Sequence, residues 1–516
     1  MIMADIFCLL EEIPKQDFLE LANKYGHLNV FSVWLAIVIL IMVGLWVLQR
    51  RSDQKILKKF GIPGPEVDSL LFGHYMTIQK KPIEAIRDWT KKYGPVFGFY
   101  IGEKPVIALS DAEMVRDLFV KLPNVFNERP PFALQTYPVT STLLCLPHDH
   151  WKTVRSVLTP AFSGAKLKLM MCLMNDSART TVQVIKERSA EAAPICFFDI
   201  GQKLTLDVIA RCALATKINC IIDDKDTLLN QVRKFLSNTD TYIYHLAHGL
   251  PHLTKVLKAL ADFTSTHKTM YGLVAHIHEV IKYRKKNRCK ADDMLQLMID
   301  AASEDTRIIE DQDVAANAFF FLLAGYETTA ITIANACCLM AIHPEEQEKL
   351  FEEINEVCSG PEDVTYEQVQ KLKRMEAFLL ETLRMFPPVI SLVSRVGNAD
   401  VQVGGFHIPK GTQVQASVLE VHMNPKYWPD PERFNPDRFV DTNAATQPQY
   451  LPFGIGPKMC IGRRFSLIEL KITFVTILRS FRLVRSPQLA EVPHRKALNM
   501  SLTPEGGVPL LVETRN

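Results

Sequence analysis

Phe453-Gly454-Ile455-Gly456-Pro457-Lys458-Met459-Cys460-Ile461-Gly462 is a loop broken up by glycine and proline that carries one cysteine. It leads into residues 463–481, which contain no Pro or Gly and predict a helix. Cys460 then sits at a helix N-terminus, where unpaired N–H groups and the helix dipole stabilise negative charge. A thiol there is expected to ionise more readily than usual and to serve as a metal ligand. Gly456 and Gly462 suit backbone that turns tightly or approaches a flat partner, and Phe453 is placed to lie on that partner's face. A small apolar core cysteine beside a Gly turn is the competing reading, and the loop alone leaves both open.

The spacing Phe-x-x-Gly-x-(basic)-x-Cys-x-Gly changes that balance, because it resembles the haem-binding loop of the cytochrome P450 superfamily. One departure is visible, Lys458 where the family usually has Arg, a point charge in place of a bidentate fork. The resemblance runs from about residue 61 to the C-terminus. It is nearest to the drug- and steroid-oxidising branch that also contains thromboxane synthase. Stretches that carry it include Gly61-Ile62-Pro63-Gly64-Pro65, Ala324-Gly325-Tyr326-Glu327-Thr328-Thr329 and Asp293-Met294-Leu295-Gln296-Leu297-Met298-Ile299-Asp300.

Around that loop, the composition describes a core-forming chain. It has 516 residues, 47% hydrophobic, with a formal charge of +2, so nothing electrostatic points to nucleic acid. Eleven cysteines without pairing rhythm fit a reducing compartment better than a disulfide scaffold. Residues 30–48 are an uncharged run near the roughly 20 needed to span a bilayer. Arg50, Arg51, Lys55, Lys58 and Lys59 follow it, and acidic residues predominate before it. This orients the bulk of the chain to the cytosol. The expected organisation is a lumenal tail over 1–29, an anchor over 30–48, a basic and Pro-rich hinge over 49–65 and a catalytic domain over 66–516. On that topology the sequons at Asn175 and Asn499 are expected to stay unglycosylated.

Residues 82–93 predict a helix, and 96–101 with 105–109 a hairpin; strand-rich patches cover 401–417 and 498–512. Most of 150–390 has helical periodicity. The fold expected is mainly α with small peripheral sheets, and the resemblance implies the cytochrome P450 fold behind one transmembrane helix.

Trp151 and Arg155 are four apart, on one helix face, and match the family's Trp-x-x-x-Arg, whose side chains reach the haem propionates. His148-Asp149-His150 reads as an exposed polar turn. The longest helical pattern, Asp311 to Ile342, has Gly and paired Thr in its middle, poor helix formers that need a reason. Close helix packing is one. The other is a local opening in which Gly325 admits a flat cofactor while Thr328 and Glu327 bond to backbone or water. In the resembling family this is the oxygen groove and proton relay, with Ala324, Gly325, Glu327 and Thr328 as its residues. Glu381 and Arg384 lie in an apolar segment where charges must pair. The resemblance implies a structural network of Glu381, Arg384 and Arg438, with Arg433 as rival for the third place. Arg395 matches a further propionate position.

The resemblance thus implies haem b held by Trp151, Arg155, Arg395, Phe453, Lys458, Cys460 and Gly462. Cys460 would be the axial thiolate ligand, favouring O–O cleavage by electron donation. It also implies a microsomal monooxygenase in the endoplasmic reticulum membrane, acting on lipophilic xenobiotics, steroids or fatty-acid-like compounds. Electrons would come from NADPH through a flavoprotein reductase docking near Lys152, with cytochrome b5 as a second candidate partner. Phe132, Phe319, Phe320, Leu392 and Met500 are the pocket-wall candidates. A haem-thiolate isomerase acting on an endoperoxide and a non-enzymatic haem sensor are the alternatives. Thromboxane synthase departs from the family's central Thr, whereas Thr328 and Thr329 are both present here, which favours the monooxygenase.

Overall fold

A computed structural model of the chain describes residues 30–214, 216–237, 242–287, 293–303, 308–360, 362–489, 495–498 and 501–515. It divides into two compact units, Met1–Ile56 and Leu57–Asn516. The described part of the first is one helix, α1 (Val30–Asp53), running past the sequence-read end at residue 48. Ser32–Asp53 is long and apolar enough to cross a membrane. Trp34, Leu40 and Leu48 are each more than half exposed on it, as lipid-facing side chains are.

The second unit is mainly helical. Its principal elements begin with α2 (Pro82–Tyr93), β1 (Val96–Ile101), β2 (Lys104–Leu109), α3 (His148–Leu158), α4 (Gly164–Ser189), β3 (Ile195–Cys196) and α5 (Phe197–Leu214). Then come α6 (Asp311–Ile342), α7 (Lys373–Met385), β4 (Ser394–Val396), β5 (Val401–Val403), β6 (Phe406–Ile408) and β7 (Gln413–Ala416). The chain closes with α8 (Arg463–Ser480), β8 (Phe481–Arg485), β9 (Arg495–Leu498), β10 (Ser501–Pro504) and β11 (Pro509–Thr514). Pro82 stands in the first turn of α2, where its missing N–H costs nothing. The largest sheet has the order β1-β2-β7-β4, with β2 and β7 parallel, and β3-β11-β8, β10-β9 and β5-β6 form smaller ones.

The helix α6 organises the domain. A reciprocal pair between Glu310 and Asp313 caps its start, and His343 ahead of Pro344 ends it. It too is long and apolar enough to cross a bilayer, but most of it is buried within the domain, so it is the core helix, apolar on nearly every side. It lies close along α5. A side chain at Gly325 would come within 2.9 Å of Ile209, and one at Gly201 within 3.1 Å of the Ala330 carbonyl. Thr205 of α5 donates to the Tyr326 carbonyl at 2.8 Å.

One local expectation changes, and two other stretches are held by specific contacts. His148-Asp149-His150 is no turn but the first turn of α3, with His150 reaching buried Asp313 of α6 at 2.9 Å. Residues 61–65 lie against β1, where the Gly98 N–H donates to the Pro63 carbonyl at 2.7 Å and Ile62 is buried. Asn175 is buried in α4, its amide donating to the Met171 and Val364 carbonyls. The second sequon, at Asn499, lies outside the described residues.

Candidate functional site

One cavity of about 260 Å³ lies between α6 and the loop before α8. Ala324, Gly325 and Thr328 line it from α6, and Phe453, Lys458, Cys460 and Gly462 from the loop. Trp151 and Arg155 of α3 and Arg395 of β4 complete the set brought together from distant parts of the sequence.

The loop is shaped by its own backbone. The Cys460 N–H donates to the Phe453 carbonyl at 2.9 Å, and the Met459 N–H to Gly456 at 3.0 Å. Gly456 has φ +74°, and a side chain there would collide with the Phe119 carbonyl, so glycine is required twice over. Guanidinium groups fix the loop from outside. Arg129 donates to the Lys458 carbonyl at 2.9 Å, Arg155 to Met459 at 3.1 Å and Arg395 to Ile455 at 3.4 Å.

The expected lowering of the Cys460 pKa is corrected. Its sulfur opens on the cavity but the residue lies deep in the protein, and burial pushes the thiol up. The Gly462 N–H, Arg155, Arg129 and Arg463 pull the other way without prevailing. Gly462 is the N-cap of α8, so Cys460 stands ahead of the first turn, and the dipole's effect fades beyond it. A coordinating metal ion supplies the missing positive charge and deprotonates such a thiol.

Arg129, Arg155, Arg395 and Lys458 gather along the same cavity. Lys458 stands over the Trp151 ring at 4.6 Å, and Arg395 over Phe119 at 5.1 Å. Burial, with repulsion among these neighbours, brings Arg129 down to about 10, Arg395 to about 9 and Lys458 to about 8. A cluster of cations around a thiol in an apolar cavity complements a flat, dianionic, metal-bearing molecule. Haem with its two propionates has that chemistry, and the donor set fits it.

The local opening in α6 is also corrected. The helix runs without a break from Asp311 to Ile342, and the Thr328 hydroxyl donates back to the Ala324 carbonyl at 2.8 Å. Gly325 lines the cavity, and what requires its small size is Ile209 of α5, which lines the same cavity. Glu327 does not line the cavity. It is 6% exposed, accepts from the Ser501 hydroxyl at 3.1 Å, and burial pushes its carboxyl up to about 7. Of the wall candidates, Phe320 and Leu392 face the cavity. Phe319 turns instead against Phe235, Phe132 is not among the lining residues, and Met500 lies outside the described residues.

Behind the loop, Glu381 and Arg384 are fully buried and joined by two hydrogen bonds of 2.7 and 2.8 Å. The third member is Arg438, at 3.3 Å from Glu381, while Arg433 contributes only its carbonyl. Arg384 also donates to the His422 carbonyl at 2.8 Å. His422 in turn bonds the Arg384 carbonyl through Nδ1 and accepts the Leu451 N–H through Nε2 at 2.9 Å, just ahead of the cysteine loop. Burial brings His422 down to about 3, so the neutral ring that this pattern requires is the stable one.

Sequence reasoning missed Arg129, His422 and Ser501. Arg129 lies in a proline-flanked loop where a charge normally reads as solvated, and the other two act only through partners far away in sequence.

Residues 63–511 match the family model described as Cytochrome P450. Cytochrome P450 3A13 of Mus musculus is 32% identical over 473 residues, covering 89% of this chain and 93% of its own. Cytochrome P450 3A5 of Homo sapiens is 30% identical over 493 residues, covering 94% and 97%.

Proposed function

This chain belongs to the cytochrome P450 family of haem-thiolate monooxygenases, and from that premise we propose that it oxygenates lipophilic small molecules of the xenobiotic, steroid or fatty-acid-like kind. The observation that carries the reading is one cavity with apolar walls that brings together Cys460, Thr328 and a row of cations. Haem bound there supplies dioxygen activation and the transfer of one oxygen atom to the substrate.

The protein's part is to hold and to supply protons. Cys460 would hold the haem iron through its sulfur, with its donor strength tempered by the Gly462 N–H. Arg129, Arg155, Arg395, Lys458 and Trp151, which line the cavity, would hold the propionates, and Phe453 would pack against the ring. The Thr328 hydroxyl lines the cavity, and Glu327 behind it keeps a proton in reserve near neutral pH. Leu143, Leu144, Phe320, Val389 and Leu392 select apolar substrates and keep bulk water out. On this reading α1, an apolar helix long enough to cross a bilayer, anchors the enzyme in the endoplasmic reticulum membrane with its catalytic domain in the cytosol, and exposed Lys152 marks the face offered to an NADPH-dependent flavoprotein reductase, with cytochrome b5 as a second candidate partner.

Product analysis by mass spectrometry tests this, with the protein in membranes, a lipophilic library, and NADPH plus reductase present or withheld. Products one oxygen heavier, formed only with NADPH, are the expected result. A peroxide rearranged to its isomer without NADPH would overturn it in favour of an isomerase.

A further inference from the structure

The Glu327 carboxyl is buried and outside the cavity lining, and the hydroxyl that reaches it belongs to a different part of the chain. Ser501 opens β10, a strand paired with β9 and held in place at both ends of this contact. The Leu502 N–H donates to the Pro388 carbonyl at 2.8 Å, and Ser501 itself bridges to Val389. Pro388 and Val389 both line the cavity. The donor to Glu327 is thus mounted on a hairpin whose immediate neighbours wall the substrate space.

We propose that Ser501 is the positioning residue of the Glu327 carboxyl, through which the β9–β10 hairpin sets that acid's proton affinity. The proposal deepens the monooxygenase reading and rests on it for the role of Glu327 in proton supply. A hydroxyl donated to a carboxylate favours the ionised form, so Ser501 opposes the burial that otherwise keeps the proton on.

The surrounding charges leave this contact decisive. On the hairpin, Arg495 lies over Phe386 and donates to the Met385 carbonyl, and Lys496 is exposed. On α7, Arg384 is taken by Glu381. On α5, Asp199 pairs with Lys203, and Asp207 with Arg211. Arg482 of β8 pairs with Glu348. Tyr326, beside Glu327 on α6, is the titratable group that feels its charge.

The test is infrared difference spectroscopy of the haem-loaded protein across pH, following the carboxylic C=O band that disappears in Glu327→Gln. Ser501→Ala should move the titration midpoint up by about one pH unit, a tenfold gain in proton affinity, the scale of one hydrogen bond to a charged acceptor. Ser501→Thr, which keeps the hydroxyl, should bring it back toward wild type. An unmoved midpoint in Ser501→Ala overturns the proposal, provided the variant keeps the wild-type circular dichroism; a Ser501→Thr midpoint that follows Ala overturns it without that proviso. The yield of product per NADPH, measured across the same pH range, separates the two readings. A parallel shift is expected. A carboxyl midpoint that moves while the yield profile stays fixed upholds the grip of Ser501 on Glu327 and overturns the proton-supply role instead.

Discussion

The two walls of the cavity are built on opposite plans. The Phe453–Gly462 loop is determined by its own backbone: a positive φ at Gly456, a Cys460 N–H closing on Phe453, carbonyls held by Arg129, Arg155 and Arg395. The Ala324–Thr329 stretch of α6 is ordinary helix, and two of its unusual residues answer to distant partners, Gly325 to Ile209 and Glu327 to Ser501. The ligand side therefore tolerates little local change, whereas the proton side can be adjusted by exchanging residues elsewhere.

The network behind the loop should give the largest response. Glu381→Ala strips buried Arg384 and partly buried Arg438 of their carboxylate and should cost about 3–5 kcal/mol, read as a lower thermal midpoint and faster haem loss. A change below about 1 kcal/mol would mean that the loop does not depend on it.

Next in size is a pH effect on the helix side. The folded Glu327 pKa of about 7 lies above its ordinary 4.5, so the folded state holds the proton more tightly than the unfolded chain. Its contribution to stability is then fully present below pH 4.5 and is lost as pH rises through 7. Glu327→Gln should gain on wild type over that window, by up to about 3 kcal/mol, in denaturation midpoints measured at a series of pH values. A constant difference across pH would contradict the buried, proton-holding carboxyl.

The glycines sharpen the contrast most directly. Gly325→Ala should cost about 1–3 kcal/mol by crowding Ile209, and Ile209→Ala in the same chain should recover part of it. Gly456→Ala should cost about as much or more, because it meets a backbone carbonyl at φ +74° and no side-chain change can relieve it. Equal rescue at both sites would erase the distinction between the walls. The smallest effect is expected of Lys458→Arg, which keeps the cation and alters only its seat over Trp151, about 0.5–1 kcal/mol in haem retention.

This contrast also explains what could be read in advance. Local rules marked out the helices at 82–93 and 311–342, the hairpin at 96–109 and the cysteine loop, since each is written in neighbouring residues. The partners Ile209, His422 and Ser501 carry no local signal; each is significant only because the fold brings it against a residue far along the chain. The same holds for the lowered thiol pKa that was expected and not found. It rested on the dipole at the N-terminus of α8, whereas burial by parts of the chain far from Cys460 outweighs that dipole and the neighbouring cations.

The central claim is that Cys460 binds haem iron as a thiolate. The absorption spectrum of the reduced protein under carbon monoxide tests it most directly. Wild type is predicted to show the long-wavelength Soret band of a thiolate-ligated haem, and Cys460→Ser to lose it while keeping its helical circular dichroism. A wild-type band typical of a neutral axial ligand, or a thiolate band surviving in Cys460→Ser, would contradict the account.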